Sequence, residues 1–520
     1  MACCLALLGL GNLPLRDFDE ATVARVALEL SEKNISEVFL PTIWSQPYLN
    51  KPPGLHWLIS LSIKIQSLWN QGLPSEFSIR VLPALLSTFV VPLGGLIQCK
   101  LRPKDTTSSI ITSLILLTLL PVARHGRLAM LDGPQLSAIA LLWLFIVSIE
   151  NTKKDNFSCF WAGISSSFLL LLKPPLIIPS LLVGVIFLFL DKKISFCISW
   201  LRLRWFIAGI FPGFAWHAWN FYHRDLGAIF MWWGDGAGRV LTNSGGGSIG
   251  SHLGFIVPLI EMLEGGWPWI LFLPFGFALA WYDRKTRWGK WILVSQLVIC
   301  GSIFSLKMQL PWYSHPLWLP FALTISPPLA WLTHPTKTKF VPGQKFLLLI
   351  PWFLSILGGL CVLFGLFCLS GFFPFLVSYA PIAIVIGIGW LIGSLLLIHS
   401  KKKYKRISIF VISFGSYFGL LLLMNSNFWL WELAETWQVE PISKMVVNAN
   451  VNPVFIKGNY QRPSLNWYSQ QRIVEMNNSH KPKFILTKNQ IQSTDNKCQL
   501  IDSLHEWKLM ECPDYELKLD

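Results

Sequence analysis

The sequence predicts a polytopic α-helical membrane protein with a small α/β domain at its carboxy terminus, and three observations support this fold class. Of the 520 residues, 53% are hydrophobic and only 14% are charged, and the mean hydropathy is +0.49. A soluble chain of this length needs many more charges to cover its surface. Apolar runs of about the length of a membrane span recur along most of the chain, and the last part of the chain lacks them.

The apolar runs are long enough, or nearly long enough, to cross a bilayer as helices. Clear examples are 81–99, 108–122, 136–149, 346–367 and 407–424. Counted by window length, roughly 13 such runs are present, so we predict a transmembrane domain of roughly 13 helices at 1–424. The first run, MACCLALLGLGNL, is shorter than a usual span. Either this span is thinned or the true start lies upstream, and the sequence leaves both open.

The formal net charge is +15 at pH 7, but the positions of the basic residues argue against nucleic acid as a partner. Lysine and arginine cluster in short loops that alternate with the apolar runs, as the positive-inside rule describes for cytoplasmic loops. These loops contain Lys100, Arg102, Lys104, Lys153, Lys154, Lys192, Lys193, Arg202, Arg204, Arg284, Lys285, Arg287, Lys290, Lys337, Lys339 and the run KKKYKR at 401–406. We therefore predict a multi-pass protein of the inner or plasma membrane. Its long first outer loop (14–80), the loop 223–266 and the tail after Asn425 would be extracytoplasmic.

The tail at 425–520 is predicted to be an extracytoplasmic soluble domain. It alternates apolar and polar residues in MVVNANVNPVFIKG, KFILTK, CQLIDSL and EWKLME, a pattern typical of strands in a small α/β domain. Cys498 and Cys512 lie in this tail, where an oxidising environment permits a disulfide. The sequence alone leaves open whether they pair.

Acidic and basic residues gather at predicted helix ends on the outer side. In RDFDEA, Asp19 and Glu20 precede a helical pattern, and taken alone such acids are common at helix amino termini. ARHGRLAMLDGP contains Arg124, Arg127 and Asp132. Further cations are Lys51 in LNKPPGLHWL, Lys173 in LLKPPL and Lys307 in SLKMQLPWYSHP. Ionisable residues at membrane depth are costly and often functional, so the pattern predicts a site for an anionic, membrane-held substrate.

The order of these motifs, with RPSLNWYSQQRI in the tail, resembles the polytopic glycosyltransferases of the C fold class. The resemblance is to the branch of protein O-mannosyltransferases and lipid A aminoarabinose transferases, and it extends over essentially the whole chain. No single motif is specific, whereas their order and their placement on one membrane face are. The resemblance implies an integral-membrane glycosyltransferase. Such an enzyme moves a sugar from a polyprenyl-phosphate-linked donor to an extracytoplasmic lipid, glycan or protein acceptor.

The resemblance also implies roles for the clustered residues. The acid-pair motif of the family corresponds to Asp19 and Glu20. We assign the general base to Asp19, because the acceptor must lose a proton as it attacks the anomeric carbon. Glu20 and Asp132 are assigned to orienting the site or the acceptor. The donor phosphate would be bound by Lys51, Arg124, Arg127, Lys173 and Lys307. A groove between the spans would bury the prenyl chain of the donor, and this burial contributes roughly 0.8 kcal/mol of binding free energy per CH₂. The spans themselves would contact membrane lipids.

We expect no cofactor, and an essential divalent metal is disfavoured. Many relatives carry an acid before the KPP motif, and in the aminoarabinose branch this acid can ligate a metal. Here the position is Asn50, a poor zinc ligand, and His56 and His252 remain only as candidate ligands. The glycine-rich stretch 232–252 lacks the lysine ending of a nucleotide-binding loop. It is interpreted as a lid or as a flexible loop, and both remain open.

Two other classes of protein compete with the transferase. A transporter or flippase of lipid-linked glycans would also have many spans, but transporters place polar residues near the midplane, often in inverted repeats. Here the polar residues lie at one face and no repeat relates the two halves. A non-catalytic interaction protein would not need acids and bases at several separate helix ends. The sequence does not identify the sugar, the acceptor or the oligomeric state.

Overall fold

The structure is a computed structural model, and each statement about it below concerns the residues it describes. These are 1–34, 36–150, 155–192, 200–233, 238, 254, 256–307, 309–333, 342–399, 402–426, 437–476, 483–488 and 498–512. The chain divides into two compact units. The helical unit comprises Met1–Leu10, Leu49–Leu58 and Arg80–Asn427, and the sheet unit comprises Gly11–Tyr48, Ile59–Ile79 and Phe428–Asp520. Most of the first outer loop therefore groups with the tail. The division at 424 and 425 stays a prediction.

Helices make up most of the described chain. In the first half of the chain they are α1 (Ala2–Leu7), α2 (Asp19–Glu32), α3 (Gly54–Ser67), α4 (Glu76–Ser87), α5 (Val90–Leu101), α6 (Thr106–Thr118), α7 (Leu120–Gly126), α8 (Asp132–Val147), α9 (Asp155–Leu172), α10 (Ile177–Leu190), α11 (Trp200–Arg224) and α12 (Phe230–Trp232). In the second half they are α13 (Ile256–Gly265), α14 (Leu273–Tyr282), α15 (Arg287–Phe304), α16 (Trp318–Thr333), α17 (Gln344–Leu347), α18 (Ile350–Leu369), α19 (Ala380–His399), α20 (Lys402–Met424), α21 (Val439–Ala449) and α22 (Pro463–Ser469).

Several helices of the described chain have the length and apolar composition of membrane spans, which confirms the predicted membrane character. Four stretches qualify: Glu76–Leu101, Gln344–Leu369, Pro374–His399 and Tyr404–Met424. The number rises to six if two bent pairs of helices each count as one span. The predicted number of roughly 13 helices is thus not confirmed. One reason is that apolar runs are broken: 108–122 covers α6 and the start of α7, which bend by 58°.

The helical unit has an apolar core in which large aromatic side chains pack edge to face. The ring of Trp291 lies 5.4 Å from that of Trp143 and 4.9 Å from that of Phe187. All three side chains are essentially inaccessible to solvent. Elsewhere small residues let helices approach closely, as in membrane bundles. A Cβ atom on Gly389 of α19 would lie 2.5 Å from the Cα atom of Gly415 of α20, so these helices pack backbone to backbone.

The sheet unit contains a two-stranded and a five-stranded sheet. The strands are β1 (Thr42–Ile43), β2 (Gln46–Pro47), β3 (Val454–Ile456), β4 (Val474–Glu475), β5 (Phe484–Thr487), β6 (Gln499–Leu504) and β7 (Trp507–Glu511). The larger sheet has the order β4-β3-β5-β7-β6, in which β3 is parallel to β4 and β5, and β7 is antiparallel to β5 and β6. The small carboxy-terminal sheet is confirmed. The first part of MVVNANVNPVFIKG, however, ends α21 and is not a strand.

The core of the tail is built by helix α21 against the sheet. Ile442 and Val446 of α21 are buried with Ile456 of β3 and Leu509 of β7. Ile442 and Val446 are four residues apart, which places their side chains on one face of α21. Cys498 and Cys512 form a disulfide with a Cα–Cα distance of 4.3 Å, which answers the question that the sequence left open.

The hairpin of β1 and β2 is stabilised by a buried glutamate. Its two loop residues, Trp44 and Ser45, have φ angles of 52° and 62°. Two-residue hairpin loops with positive φ usually use Asn-Gly, because other residues are strained there. The carboxylate of Glu29 offsets this strain by accepting hydrogen bonds from the Trp44 N–H (2.6 Å) and the Thr42 hydroxyl (2.7 Å). Arg25 binds the same carboxylate at 2.9 Å and stacks on Trp44. The hairpin leads directly into Tyr48.

Candidate active site

The predicted acid pair opens helix α2 in the sheet unit. The Asp19 side chain is 39% exposed, whereas Glu20 is completely buried. One carboxylate oxygen of Glu20 accepts the backbone N–H of Arg16 at 2.7 Å, and the Arg16 guanidinium lies 4.0 Å from Asp19. Acids in the first turn also interact favourably with the helix dipole. Of the two acids, Asp19 is the one that a solvent-borne molecule can reach.

Asp19 follows a strained turn. Phe18 has φ 62° and ψ −60°, and the N–H of Asp19 donates to the carbonyl of Asp17 at 2.8 Å. This is a γ-turn with positive φ at its centre, a rare conformation for a residue with a side chain. Such backbone strain costs about 1–3 kcal/mol and persists only where the surroundings enforce it. Strain of this kind is concentrated at functional sites, which makes Asp19 a strong candidate.

Asp17, next to the pair, has a different environment. It is 1% exposed, and its carboxylate accepts the hydroxyl of Ser464 at 2.8 Å. Its second oxygen lies 3.3 Å from the guanidinium of Arg462. Burial raises the pKa of Asp17, and the hydrogen bonds from Ser464 and the charge of Arg462 only partly counteract this rise. Asp17 therefore ties the first outer loop to the tail.

Tyr48 belongs to the same cluster. Its side chain is 4% exposed. Burial raises the pKa of the Tyr48 hydroxyl, and the negative charge of Asp19 raises it further. Tyr48 is thus a neutral group at physiological pH, because both burial and the charge of Asp19 disfavour the phenolate. The sequence analysis quoted the motif just after Tyr48 but missed this residue, although its place before LNKPP was a usable signal.

The lysine–proline–proline motifs of Lys51 and Lys173 lie in neighbouring segments of the helical unit. Helix α3 begins at Gly54, directly after the first motif, and Gly54 packs on the backbone of Leu171. A Cβ atom at Gly54 would lie 2.7 Å from the Leu171 carbonyl oxygen, so only glycine permits this approach. Leu171 in turn lies two residues before Lys173. The two half-buried lysines therefore belong to segments that pack against each other.

Lys173 also meets an aromatic ring that the sequence analysis did not assign. Its Nζ atom lies 4.7 Å from the ring centroid of Tyr313, a cation–π distance. Tyr313 belongs to the 3₁₀ turn Pro311–Leu317, within the quoted motif SLKMQLPWYSHP. Of that motif, the prediction selected Lys307, which is exposed. Aromatic residues near spans are common, so composition gave no reason to prefer Tyr313.

His56 lies close to Lys51 and is completely buried. Its Nδ1 atom donates to the carbonyl of Pro52 at 3.1 Å. Burial lowers the pKa of His56 to about 4; the hydrogen bond to Pro52 opposes this shift and the charge of Lys51 adds to it. At neutral pH the ring is therefore uncharged and leaves Lys51 as the local cation.

Arg124 lies in a second polar cluster of the helical unit. It is 3% exposed, and its guanidinium lies 3.5 Å from Glu261 and 4.0 Å from Glu264, both on α13. The next residue, His125, stacks edge to face on His315 with ring centroids 5.6 Å apart. Burial lowers the pKa of His315 well below its usual range, and the charges of His125 and Arg124 contribute to this shift. His125, His315 and Glu261 were not among the site residues predicted from the sequence.

Arg127, predicted to bind phosphate, contacts backbone carbonyls. It donates to Leu5 and Leu8 at 2.6 Å and to Met424 at 3.4 Å. Burial and the nearby charge of Arg80 lower the pKa of Arg127 to about 10. Carbonyls at helix carboxy termini need such donors. These contacts favour a structural role for Arg127, and its phosphate-binding role stays a prediction.

Asp132 is the first residue of α8 and is 4% exposed. Together with the five predicted cations it belongs to the helical unit, whereas Asp19 and Glu20 belong to the sheet unit. Among the described residues, no group of three histidine, cysteine, aspartate or glutamate side chains is arranged to hold a metal. Asn50 is exposed. His252 and most of the glycine-rich stretch 232–252 lie outside the described residues, so the metal and lid predictions stay predictions.

The fold resembles that of proteins whose structures have been solved. Over 98% of this chain and 96% of the other, the structure resembles the crystal structure of ArnT from Cupriavidus metallidurans bound to undecaprenyl phosphate, with a TM-score of 0.73 and 14% sequence identity. The structure of the same protein in the apo state matches with a TM-score of 0.71 and 13% identity, over 98% of this chain and 95% of the other. At these identities the likeness establishes the fold alone.

Sequence comparisons agree with the fold. Residues 48–234 match the family of dolichyl-phosphate-mannose-protein mannosyltransferases. The chain is 25% identical over 400 residues to undecaprenyl phosphate-alpha-4-amino-4-deoxy-L-arabinose arabinosyl transferase 1 of Pseudomonas fluorescens. This match covers 69% of the chain and 64% of the relative, which is less than two thirds of the relative's length. The predicted resemblance to the C-fold branch of protein mannosyltransferases and aminoarabinose transferases is thereby confirmed.

Proposed function

We propose that the protein is an integral-membrane glycosyltransferase that moves a sugar from a polyprenyl-phosphate-linked donor to an acceptor lipid, glycan or protein. The observation that carries this proposal is the environment of Asp19. It is an accessible carboxylate that follows a strained turn and lies beside buried polar groups. A general base must be accessible to the group whose proton it accepts, and it must be held in a fixed orientation. The exposure of Asp19 and the turn that precedes it support both requirements.

The reaction would proceed by substitution at the anomeric carbon. The acceptor hydroxyl or phosphate gives its proton to the Asp19 carboxylate, and its oxygen bonds to the anomeric carbon. The bond between that carbon and the phosphate oxygen breaks, and the electron pair leaves on the polyprenyl phosphate. Glu20 and Asp132 would orient the site or the acceptor, as the family resemblance implies.

The leaving phosphate needs cations, and the neighbouring motifs of Lys51 and Lys173 support this role. Tyr313 beside Lys173 adds a hydroxyl-bearing ring to the same region. Arg124 and Lys307 complete the proposed set, with Arg127 as its least supported member because backbone carbonyls bind its guanidinium. The apolar helices would bury the prenyl chain. One relative is an undecaprenyl phosphate-aminodeoxyarabinose arabinosyl transferase and another was crystallised bound to undecaprenyl phosphate, which supports a polyprenyl carrier here.

The proposal includes location and domains. The protein would lie in the inner or plasma membrane, with Asp19 and the 425–520 domain on the extracytoplasmic side and the 1–424 domain spanning the bilayer. The positive-inside pattern and the disulfide of the tail support this orientation. Asn50, in the position of a metal-ligating acid, supports a reaction without an essential metal.

A transfer assay on the purified protein tests the function. The protein in lipid nanodiscs is given labelled polyprenyl-phosphate sugars with lipid and protein acceptors, with and without EDTA. We expect transfer or slow hydrolysis that Asp19→Asn lowers by about 10²- to 10⁴-fold and that EDTA leaves intact. In sealed vesicles, movement of a lipid-linked sugar across the bilayer with its anomeric bond intact would instead identify a flippase. Loss of activity with EDTA, restored by a divalent ion, would overturn the metal-free reaction.

A further inference from the structure

The first turn of the tail helix α22 contacts the segment that carries the acid pair. Arg462, just before α22, binds the Asp17 carboxylate at 3.3 Å. Ser464 donates its hydroxyl to the other oxygen of Asp17 at 2.8 Å and its backbone N–H to the same atom at 3.3 Å. Asp17 therefore receives hydrogen bonds or charge from two residues of the tail, all within the sheet unit.

A second contact lies farther along α22. The hydroxyl of Tyr468 accepts the backbone N–H of Leu15 at 2.7 Å and donates to Glu76 at 2.9 Å. Tyr468 is 9% exposed, and Ser464 is completely buried. Two points of the loop, at Leu15 and Asp17, are thus fixed by one helix. Because α22 is itself buried against the sheet through Leu465, these anchors are rigid.

Arg462 acts on the strained turn from two sides. Its guanidinium binds Asp17, and its Cζ atom lies 5.2 Å from the ring centroid of Phe18. Phe18 is the residue with φ 62°. A side chain at that φ relaxes unless its neighbours prevent it, and relaxation would rotate the first residue of α2. The orientation of Asp19 therefore depends on Arg462.

We propose that Arg462, with Ser464 and Tyr468, forms a brace that positions Asp19 for proton transfer. These are positioning residues, since they act on Asp19 through Asp17, Phe18 and Leu15. The inference rests on the proposed function for its catalytic consequence. The tail domain is then part of the catalytic apparatus, and the brace occupies the first part of the motif RPSLNWYSQQRI, from Arg462 to Tyr468.

Arg462→Met tests the brace with two independent readouts. Displacement of a catalytic group by about 1 Å costs up to roughly 100-fold in rate, so we expect kcat to fall by about 10- to 100-fold. The KM for the lipid donor should stay at the parent value, because the role proposed for Arg462 concerns proton transfer and not donor binding. Arg462→Lys, which keeps the charge near Asp17, should recover part of the turnover. Arg472→Met is the matched control, since Arg472 is exposed on the same part of the tail.

Amide hydrogen exchange tests the brace independently of any measurement of activity. In Arg462→Met, peptides covering Leu15 to Asp19 should exchange roughly tenfold faster than in the parent, as loss of a charged hydrogen bond predicts. Peptides covering β5 and β7 should be unchanged. If exchange at Leu15 to Asp19 equals that of the parent, the brace is wrong, whatever the activity.

Two further outcomes would distinguish failure of the positioning role from failure of the proposed function. A uniform rise in exchange over the whole tail, with kcat and KM both altered, would show that Arg462 only supports folding, and would overturn the positioning role. A parent protein that transfers no sugar, combined with the expected local exchange, would reject the proposed function but leave the brace as a mechanical contact.

Discussion

The Nζ atom of Lys173 lies 4.7 Å from the centre of the Tyr313 ring, although the two residues come from separate helical segments. The ring stabilises the ammonium group without neutralising it, because a cation–π contact leaves the positive charge available. This differs from Arg124, whose charge is partly compensated by Glu261. Of the described cations, Lys173 thus combines a fixed position with an uncompensated charge, as a phosphate ligand should.

Lys173→Met should weaken binding of the donor and leave the chemical step nearly intact. Loss of a charge-assisted contact worth about 1.5–3 kcal/mol corresponds to a rise in donor KM of roughly 10- to 150-fold. Steady-state kinetics with a labelled donor measure this rise. Lys51→Met should behave alike. Lys345, an exposed lysine on α17, gives the control Lys345→Met. Parental KM values in both lysine variants would reduce these residues to determinants of topology.

Asp19→Asn should lower turnover by about 10²- to 10⁴-fold, because it removes the proton acceptor and keeps the shape. Donor binding should remain. The matched control is Glu32→Gln, at the exposed end of the same helix. Asp17→Asn is unsuitable as a control, because Asp17 binds Ser464 and Arg462. Near-parental turnover of Asp19→Asn would reject Asp19 as the base and restore its interpretation as a helix-terminal acid.

Arg127→Met should destabilise the protein rather than alter donor binding. The substitution leaves the buried carbonyl of Leu5 without its Arg127 donor, at a cost of about 1–3 kcal/mol, and also removes a donor from the more exposed carbonyl of Leu8. A lower midpoint of thermal unfolding in detergent, with an unchanged donor KM in the folded fraction, is expected. Arg284→Met, on the exposed surface, should change neither. A raised KM at parental stability would assign Arg127 to the phosphate after all.

The stability of the helical unit should depend on the protonation of His56. Its pKa is about 4 in the folded protein, below the usual value of 6.5. The unfolded state therefore binds the proton first, so stability falls as pH decreases from about 6.5 and levels off near 4. The loss is on the order of 3 kcal/mol at most. Unfolding midpoints measured across this range should fall less in His56→Gln. Identical slopes in parent and variant would contradict the burial argument.

The orientation of the chain can be tested with reporter fusions. The positive-inside rule predicts that fusions after Lys290 and Arg406 report a cytoplasmic location and that a fusion at the carboxy terminus reports an external one. Alkaline phosphatase and green fluorescent protein fusions give opposite signals on the two sides. A cytoplasmic carboxy terminus would reverse the proposed topology.

Sequence reasoning identified the segments that matter better than the residues within them. Asp19, Lys51 and Lys173 were selected because charge near a membrane is costly, and that argument needs no coordinates. Tyr313 and His315 were quoted within a motif but not selected, since aromatic residues are too common in such chains to be informative. The strained φ of Phe18 could not be foreseen, because phenylalanine has no preference for it. The Phe18 ring contacts Arg462, which lies more than four hundred residues away in the chain, and such long-range contacts cannot be read from local sequence.

The sheet unit draws its parts from both ends of the chain, and this determines when it can form during synthesis. Proteins fold as they emerge from the ribosome, amino-terminal parts first, at about 5–20 residues per second. The loop bearing Asp17 is made early, but Ser464 and Arg462 are made near the end. For most of translation the loop therefore lacks its contacts with Ser464 and Arg462. A chain that terminates before Arg462 would therefore carry Asp19 next to an anchor, Asp17, that lacks both of its partners from the tail.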